Sequence, residues 1–176
     1  MSKNENFVDY LGELVKKDDR ATLARLRHSL AFPPGQYTQV FGFMERFTSS
    51  LYGWDREAYY LTAGLFATHP DQTEDEAETL GATFRRVYYE RSESESIAKR
   101  FLALIDADPE QMPERLRHAI NLIRSHALSV NYDLLLLHLK AWQSENHWVQ
   151  QRWARDFYRP FEAETKPEAT INPENE

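Results

Sequence analysis

The chain has 176 residues, 41% hydrophobic and 13% aromatic, with a formal net charge of −7. That apolar share supplies a packed core and excludes disorder of the chain as a whole. The absence of cysteine excludes disulfides and thiolate metal sites. No apolar run approaches the roughly 20 residues of a membrane span, and the polar start MSKNENF is no secretory signal. A cytoplasmic setting without membrane contact is expected. The acidity is unevenly placed: residues 71–78 (DQTEDEAE) hold five acids and no base, and residues 161–176 hold five glutamates and one lysine. These two runs exceed the whole net charge, so the remaining body is mildly basic and a nucleic-acid face is permitted.

Phe7, Leu11, Leu14 and Val15 recur at helical spacing behind Asn4 or Asn6 as N-cap. Asp18 or Asp19 caps a second helix, Arg20 to Ala31, that buries Leu23, Leu26 and Leu30. Beside that face Arg20, Ala24, Arg27 and Ala31 form a stripe, basic and small by turns, while Arg25 projects outward. Small residues between arginines let a phosphate backbone approach closely. Phe32-Pro33-Pro34-Gly35 ends the helix. A helix over Tyr37 to Leu51 presents Val40, Phe41, Met44, Phe47 and Leu51 on one side. Gly53-Trp54-Asp55 interrupts it, and Asp55 opens a helix with Leu61, Leu65 and Phe66 that stops at His69-Pro70, because proline disfavours helix in the preceding residue. The rings between Tyr37 and Phe66 stand at helical spacing and read as core rather than as base-stacking groups.

Past the acidic loop, Ala77 to Tyr89 turns Leu80, Phe84 and Val87 inward and Arg85 and Arg86 outward. Ser92 and Glu95 suit a capping box for a helix that buries Ile97, Phe101, Leu104 and Ile105. At about 100° per residue, Arg100 sits on the shoulder of that face and Lys99 points nearly away from it. Asp108-Pro109 and Met112-Pro113 place proline at a helix start. The helix that follows buries Leu116, Ala119, Ile120, Ile123 and Ala127, with Arg117 and Arg124 seven residues apart on one shoulder and Asn121 outward between them. Shoulder arginines pack their stems on the core while the guanidinium reaches a phosphate. Asn131-Tyr132-Asp133 starts an apolar helix (Leu134, Leu135, Leu137, Leu139, Trp142) expected at the centre of a second lobe. The last helix, Glu145 to Arg159, aligns Val149, Trp153 and Phe157 before Pro160.

No segment shows sustained strand alternation, so the expected fold is all-α, a two-lobed helical bundle of about eight or nine helices. Residues 1–70 form the N-terminal lobe, 71–78 an acidic loop, 79–160 the C-terminal lobe and 161–176 a disordered acidic tail. Enzyme signatures are missing. The six glycines are scattered, which excludes a P-loop or dinucleotide fingerprint. His118 and His126 stand about 80° apart around one helix and cannot chelate one ion unaided. The clustered carboxylates lie in the loop and tail, read as mobile, rather than on an ordered scaffold as a metal nuclease requires. No catalytic residue, cofactor or metal is expected.

Across residues 7 to 159 the chain resembles CasB, the small subunit of the type I-E CRISPR surveillance complex called Cascade. The resemblance is carried by Asp19-Arg20, Leu23-Ala24-Arg25-Leu26-Arg27, Leu65-Phe66-Ala67-Thr68-His69-Pro70 and Thr79-Leu80-Gly81-Ala82-Thr83-Phe84-Arg85. Ser96-Ile97-Ala98-Lys99-Arg100-Phe101, Leu116-Arg117, the run Tyr132 to Trp142, and Trp153-Ala154-Arg155-Asp156-Phe157-Tyr158 continue it. It implies a two-lobed, non-catalytic, all-α subunit. Its partners would be guide RNA and target DNA within Cascade, the backbone and large subunits, and a second copy of itself. It further implies stabilisation of the R-loop and its displaced strand. Arg20, Arg25, Arg27, Lys99, Arg100 and Arg117 fall on the family's basic positions, and Arg124 extends the same shoulder. His28 and Lys99 stand where arginine is frequent. The alternative reading is a helical interaction module whose basic shoulders bind an acidic protein partner.

Overall fold

A computed structural model describes residues 6–160. Asn4 and the expected disordered tail at 161–176 lie outside the described residues. Among those residues the fold is all-α, with nine α-helices and a lone parallel bridge between Gln72 and Val130. None of these helices is long and apolar enough to cross a membrane.

The first helix, α1, spans Phe7–Lys16, capped by the Asn6 side chain, which accepts from the Val8 N–H. Asp18 adopts a left-handed turn, so Asp19 is the cap of α2 (Arg20–His28) and accepts from Thr22 N–H. A 3-10 turn over Ser29–Ala31 finishes the segment read as one helix. The expected helix Tyr37–Leu51 is instead a 3-10 turn, Thr38–Val40, followed by α3, Phe41–Thr48. Next, α4 (Gly53–Thr68) is the central element, with an unbroken buried run from Tyr60 to Ala67. A helix apolar on every side is enclosed by other helices; α4 packs against α2 and α3 on its own side of the chain and against later helices as well.

Thr79 caps α5 (Leu80–Glu90) by accepting from Ala82 N–H, and donates to Asp156 at 2.6 Å. The expected capping box does not form. Ser92 and Glu93 both have positive φ and donate back to Tyr89 and Tyr88 carbonyls, so Ser92 terminates α5, and α6 runs Glu95–Ile105 behind Ser94. In α7 (Met112–Ser125) the buried face is Met112, Leu116, Ala119, Ile120 and Ile123. Ala127 is exposed in a left-handed turn closing this helix, and Leu128 takes the buried place expected of it. Asn131 caps α8 (Tyr132–Lys140), and α9 spans Trp148–Tyr158.

Rather than standing at the centre of the C-terminal helices, α8 packs on α4 and reaches α9 from there. Its apolar residues do not form one stripe: Leu135, Leu136 and Leu139 are buried, whereas Leu137 is 56% exposed. Two indoles tie the parts together, Trp54 donating to the Leu139 carbonyl and Trp142 to the Ala107 carbonyl. The first part of the acidic loop, read as mobile, is strapped down. Val130 N–H donates to the Asp71 carbonyl, Thr73 N–H to the Val130 carbonyl, and the Asn131 amide to the Asp75 carbonyl.

Candidate nucleic-acid interface

The second half of α2 and the outer face of α7 face one another across a groove of about 520 Å³. Ala24, Arg27, His28 and Ala31 line one side, Arg117, Asn121 and Arg124 the other, with Thr68 at the end of α4. Their approach follows from α4, against which both helices pack. The N-terminal stripe from Ala24 to Ala31, without Arg20, and the α7 shoulder therefore look into one space.

Each arginine is held differently. The Arg27 Nε donates to the Ala67 carbonyl at 3.1 Å, in the last turn of α4, where exposed carbonyls favour a cation. This fixes the guanidinium while leaving its terminal nitrogens for another acceptor. Arg117 is half-buried and Arg124 exposed; neither guanidinium makes an ion pair or hydrogen bond among the described residues. Arg25 is likewise exposed and points away from the groove lining.

A second groove, about 600 Å³, lies on the other flank of α7 and contains Arg100 of α6 together with Arg115, His118, Asn121 and Ser125. Helical geometry explains the arrangement: with the buried face of α7 centred between Leu116 and Ile123, Arg115 and His118 fall on one shoulder and Arg117 and Arg124 on the other. Asn121 stands on the crest and lines both grooves. Sequence reading found one shoulder and missed Arg115 and His118; their i, i+3 spacing beside the apolar stripe was the available signal.

The other two cations lie outside both grooves. Lys99 pairs with Glu95 at 2.8 Å along its own helix, and Arg20 pairs with Asp18 at 2.9 Å. Exposed pairs of this kind contribute about 0.2–1 kcal/mol and are readily exchanged for a phosphate. Chemically, the arrangement offers monodentate and forked N–H donors to an extended polyanion.

His138, His126 and His69 are engaged away from the grooves. His138 is fully buried, and its Nδ1 accepts from Trp153 Nε1 at 2.9 Å. Burial, with the Arg152 charge adding to it, pushes its pKa down to about 4. His126 Nδ1 lies 2.8 Å from Glu90 while its Nε2 accepts from Arg91. Buried His69 meets the Leu128 carbonyl at 2.7 Å.

A family model described as CRISPR-associated protein Cse2 matches residues 22–158. A curated CRISPR-associated protein Cse2 of Thermus thermophilus is 39% identical over 163 residues, covering 90% of this chain and 91% of the relative. The crystal structure of CasB from Thermus thermophilus superposes with a TM-score of 0.76 at 37% identity, over 90% of this chain and 99% of that one. A chain of a CRISPR RNA-guided surveillance complex, 17% identical, shares the fold with a TM-score of 0.70 over 87% and 94% of the two chains.

Proposed function

Since this chain belongs to the CRISPR-associated Cse2 family, also named CasB, we propose that it is the non-catalytic small subunit of a type I-E Cascade complex. In this reading it works in the cytoplasm beside the guide-RNA backbone and the large subunit, paired with a second copy of itself, with lobes divided near residues 71–78. It supports guide RNA–target DNA binding and stabilises the R-loop and its displaced strand. The observation that carries the nucleic-acid part is the convergence of Arg27, Arg117 and Arg124 on one groove, with Arg100 and Arg115 in the next. Cations at helical spacing track phosphates without reading bases. R-loop formation is close to balanced in the related single-effector systems, so modest backbone contacts tip it. Lys99, Arg20 and Arg25 extend the positive field around the grooves.

The test is Cascade reconstituted with Arg117→Glu and Arg124→Glu together. Retention of target DNA at moderate salt is expected to fall at least ten-fold, while the circular dichroism of the isolated variant stays that of the parent. Unchanged retention overturns the assignment. Cascade assembly lost in the same variant, with DNA binding of the assembled remainder intact, assigns the grooves to an acidic protein partner instead.

A further inference from the structure

One cluster of rings reaches from the core to the surface, with half-buried Tyr37 packed on the core and Phe32 outermost. Phe32 is 42% exposed, and its ring stacks on Tyr37 with centroids 4.8 Å apart and planes 18° from parallel. His28 stands edge-on to both rings, at 5.6 and 5.2 Å. The loop beneath is rigid. Two prolines follow Phe32, Gly35 takes a left-handed φ of 81°, and its carbonyl accepts from Arg56, which is itself held by Glu45 and Tyr60. An aromatic ring is thus presented to solvent on a fixed support.

Phe32 faces a groove of about 450 Å³ walled by Pro33, Pro34, Pro109 and Pro113. This groove and the arginine groove share Leu30, Ala31 and Arg117, so they are two halves of one cleft, apolar on one side and cationic on the other. Glu57, Glu110 and Glu114 line the apolar half and repel phosphate, which keeps a nucleic-acid backbone on the arginine side. A strand lying there has its phosphates on Arg27, Arg117 and Arg124 and its bases toward Phe32.

Resting on the nucleic-acid reading above, we propose that the Phe32 slot receives an unpaired base of a single strand whose phosphates follow the arginine groove. Every base has a π-face, so stacking of this kind is tolerant of sequence. It also favours single strands, because a paired base must first leave its own stack. A basic peptide would suit the glutamates, but the shared wall carries Arg117 and leads directly to Arg27 and Arg124, which repel it.

Fluorescence anisotropy of the full chain tests the slot, with labelled oligo-dC of about 12 nucleotides and an abasic deoxyribose-phosphate strand of equal length, over a range of salt. The parent is expected to bind oligo-dC about five-fold or more tighter than the abasic strand. Phe32→Ala should bring oligo-dC to the abasic level without changing the salt slope, and Phe32→Trp should restore the preference. Arg124→Glu should weaken both strands and lower the slope. Equal affinity of the parent for the two strands, or a base preference that survives Phe32→Ala, overturns the slot and leaves the phosphate groove standing. Failure of both strands to bind, or indifference to Arg124→Glu, overturns the slot and the groove together. A lysine- and leucine-rich peptide bound in a Phe32-dependent way, without any base preference, assigns the slot to protein and overturns the proposal.

Discussion

At the scale of single residues, His138 shows how burial sets a charge state. Its Nδ1 is occupied by the Trp153 indole and its ring is sealed from water, so protonation would break a buried hydrogen bond and bury a charge. With a folded pKa of about 4 against an ordinary value of 6.5, the unfolded chain binds a proton at this site that the folded chain refuses. Stability is therefore full above pH 6.5 and falls as the pH drops toward 4. His138→Gln keeps an acceptor for Trp153 but does not titrate. Urea unfolding at pH 7, 5.5 and 4.5 should show the variant losing less stability than the parent, by on the order of 2–3 kcal/mol at the lowest pH. Equal losses would mean that other groups carry the acid sensitivity. Tyr60 is the mirror case: burial and its bond to Glu45 push its pKa up to about 12, leaving the phenol neutral throughout the working range.

At the scale of elements, contact between backbones is the sharpest constraint. A Cβ on Gly81 would stand 2.7 Å from the Cα of Trp153, so α5 and α9 touch where only glycine fits. Main chain cannot step aside as a side-chain tip can. Gly81→Ala should cost about 3 kcal/mol, the upper end of overpacking penalties, measured by chemical denaturation; a loss under 1 kcal/mol would mean that the helices separate freely. Asn131 joins two elements by capping α8 and donating to the Asp75 carbonyl. Asn131→Ala should cost about 1–2 kcal/mol and speed amide exchange at Thr73 and Val130, the bridge it supports. The caps Asn6, Asp19 and Asn131 lie where local residue chemistry places a helix start, whereas α5 begins behind Thr79, three residues past the expected start at Ala77. The Ser92–Glu95 box was misleading because that pattern competes with termination of the preceding helix, and the left-handed turn at Ser92 and Glu93 prevailed. Ala127 misled for the same reason: apolar spacing continued one turn past the point where α7 closes.

For the whole molecule, charge placement outweighs net charge. The chain carries −7, yet two grooves on the flanks of α7 hold Arg27, Arg117 and Arg124 in one and Arg100 and Arg115 in the other. Binding of a single strand should weaken steeply with salt, and each groove arginine reversed should lower the slope of log K against log salt by about 0.7 or more. A titration from 50 to 300 mM salt checks this; reversal of Arg25, which points away from both grooves, should change the slope less. A slope insensitive to every one of these changes would place the nucleic acid elsewhere.

Sequence alone determined the helical class, the starts of α1, α2, α7 and α8, most of the apolar faces and the family. These rest on local rules, 3.6-residue periodicity and capping chemistry, and on motifs spread along the chain. The tertiary structure alone decided that Arg27 and the α7 shoulder share a groove from which Arg20 is left out, that Arg115 and His118 complete a second, and that Phe32 stands beside the first. Those relations join residues far apart in sequence, and they depend on α4 being buried on all sides so that α2 and α7 pack against it. Periodicity tells which side of a helix is buried; it carries no information on what faces its shoulders across the gap.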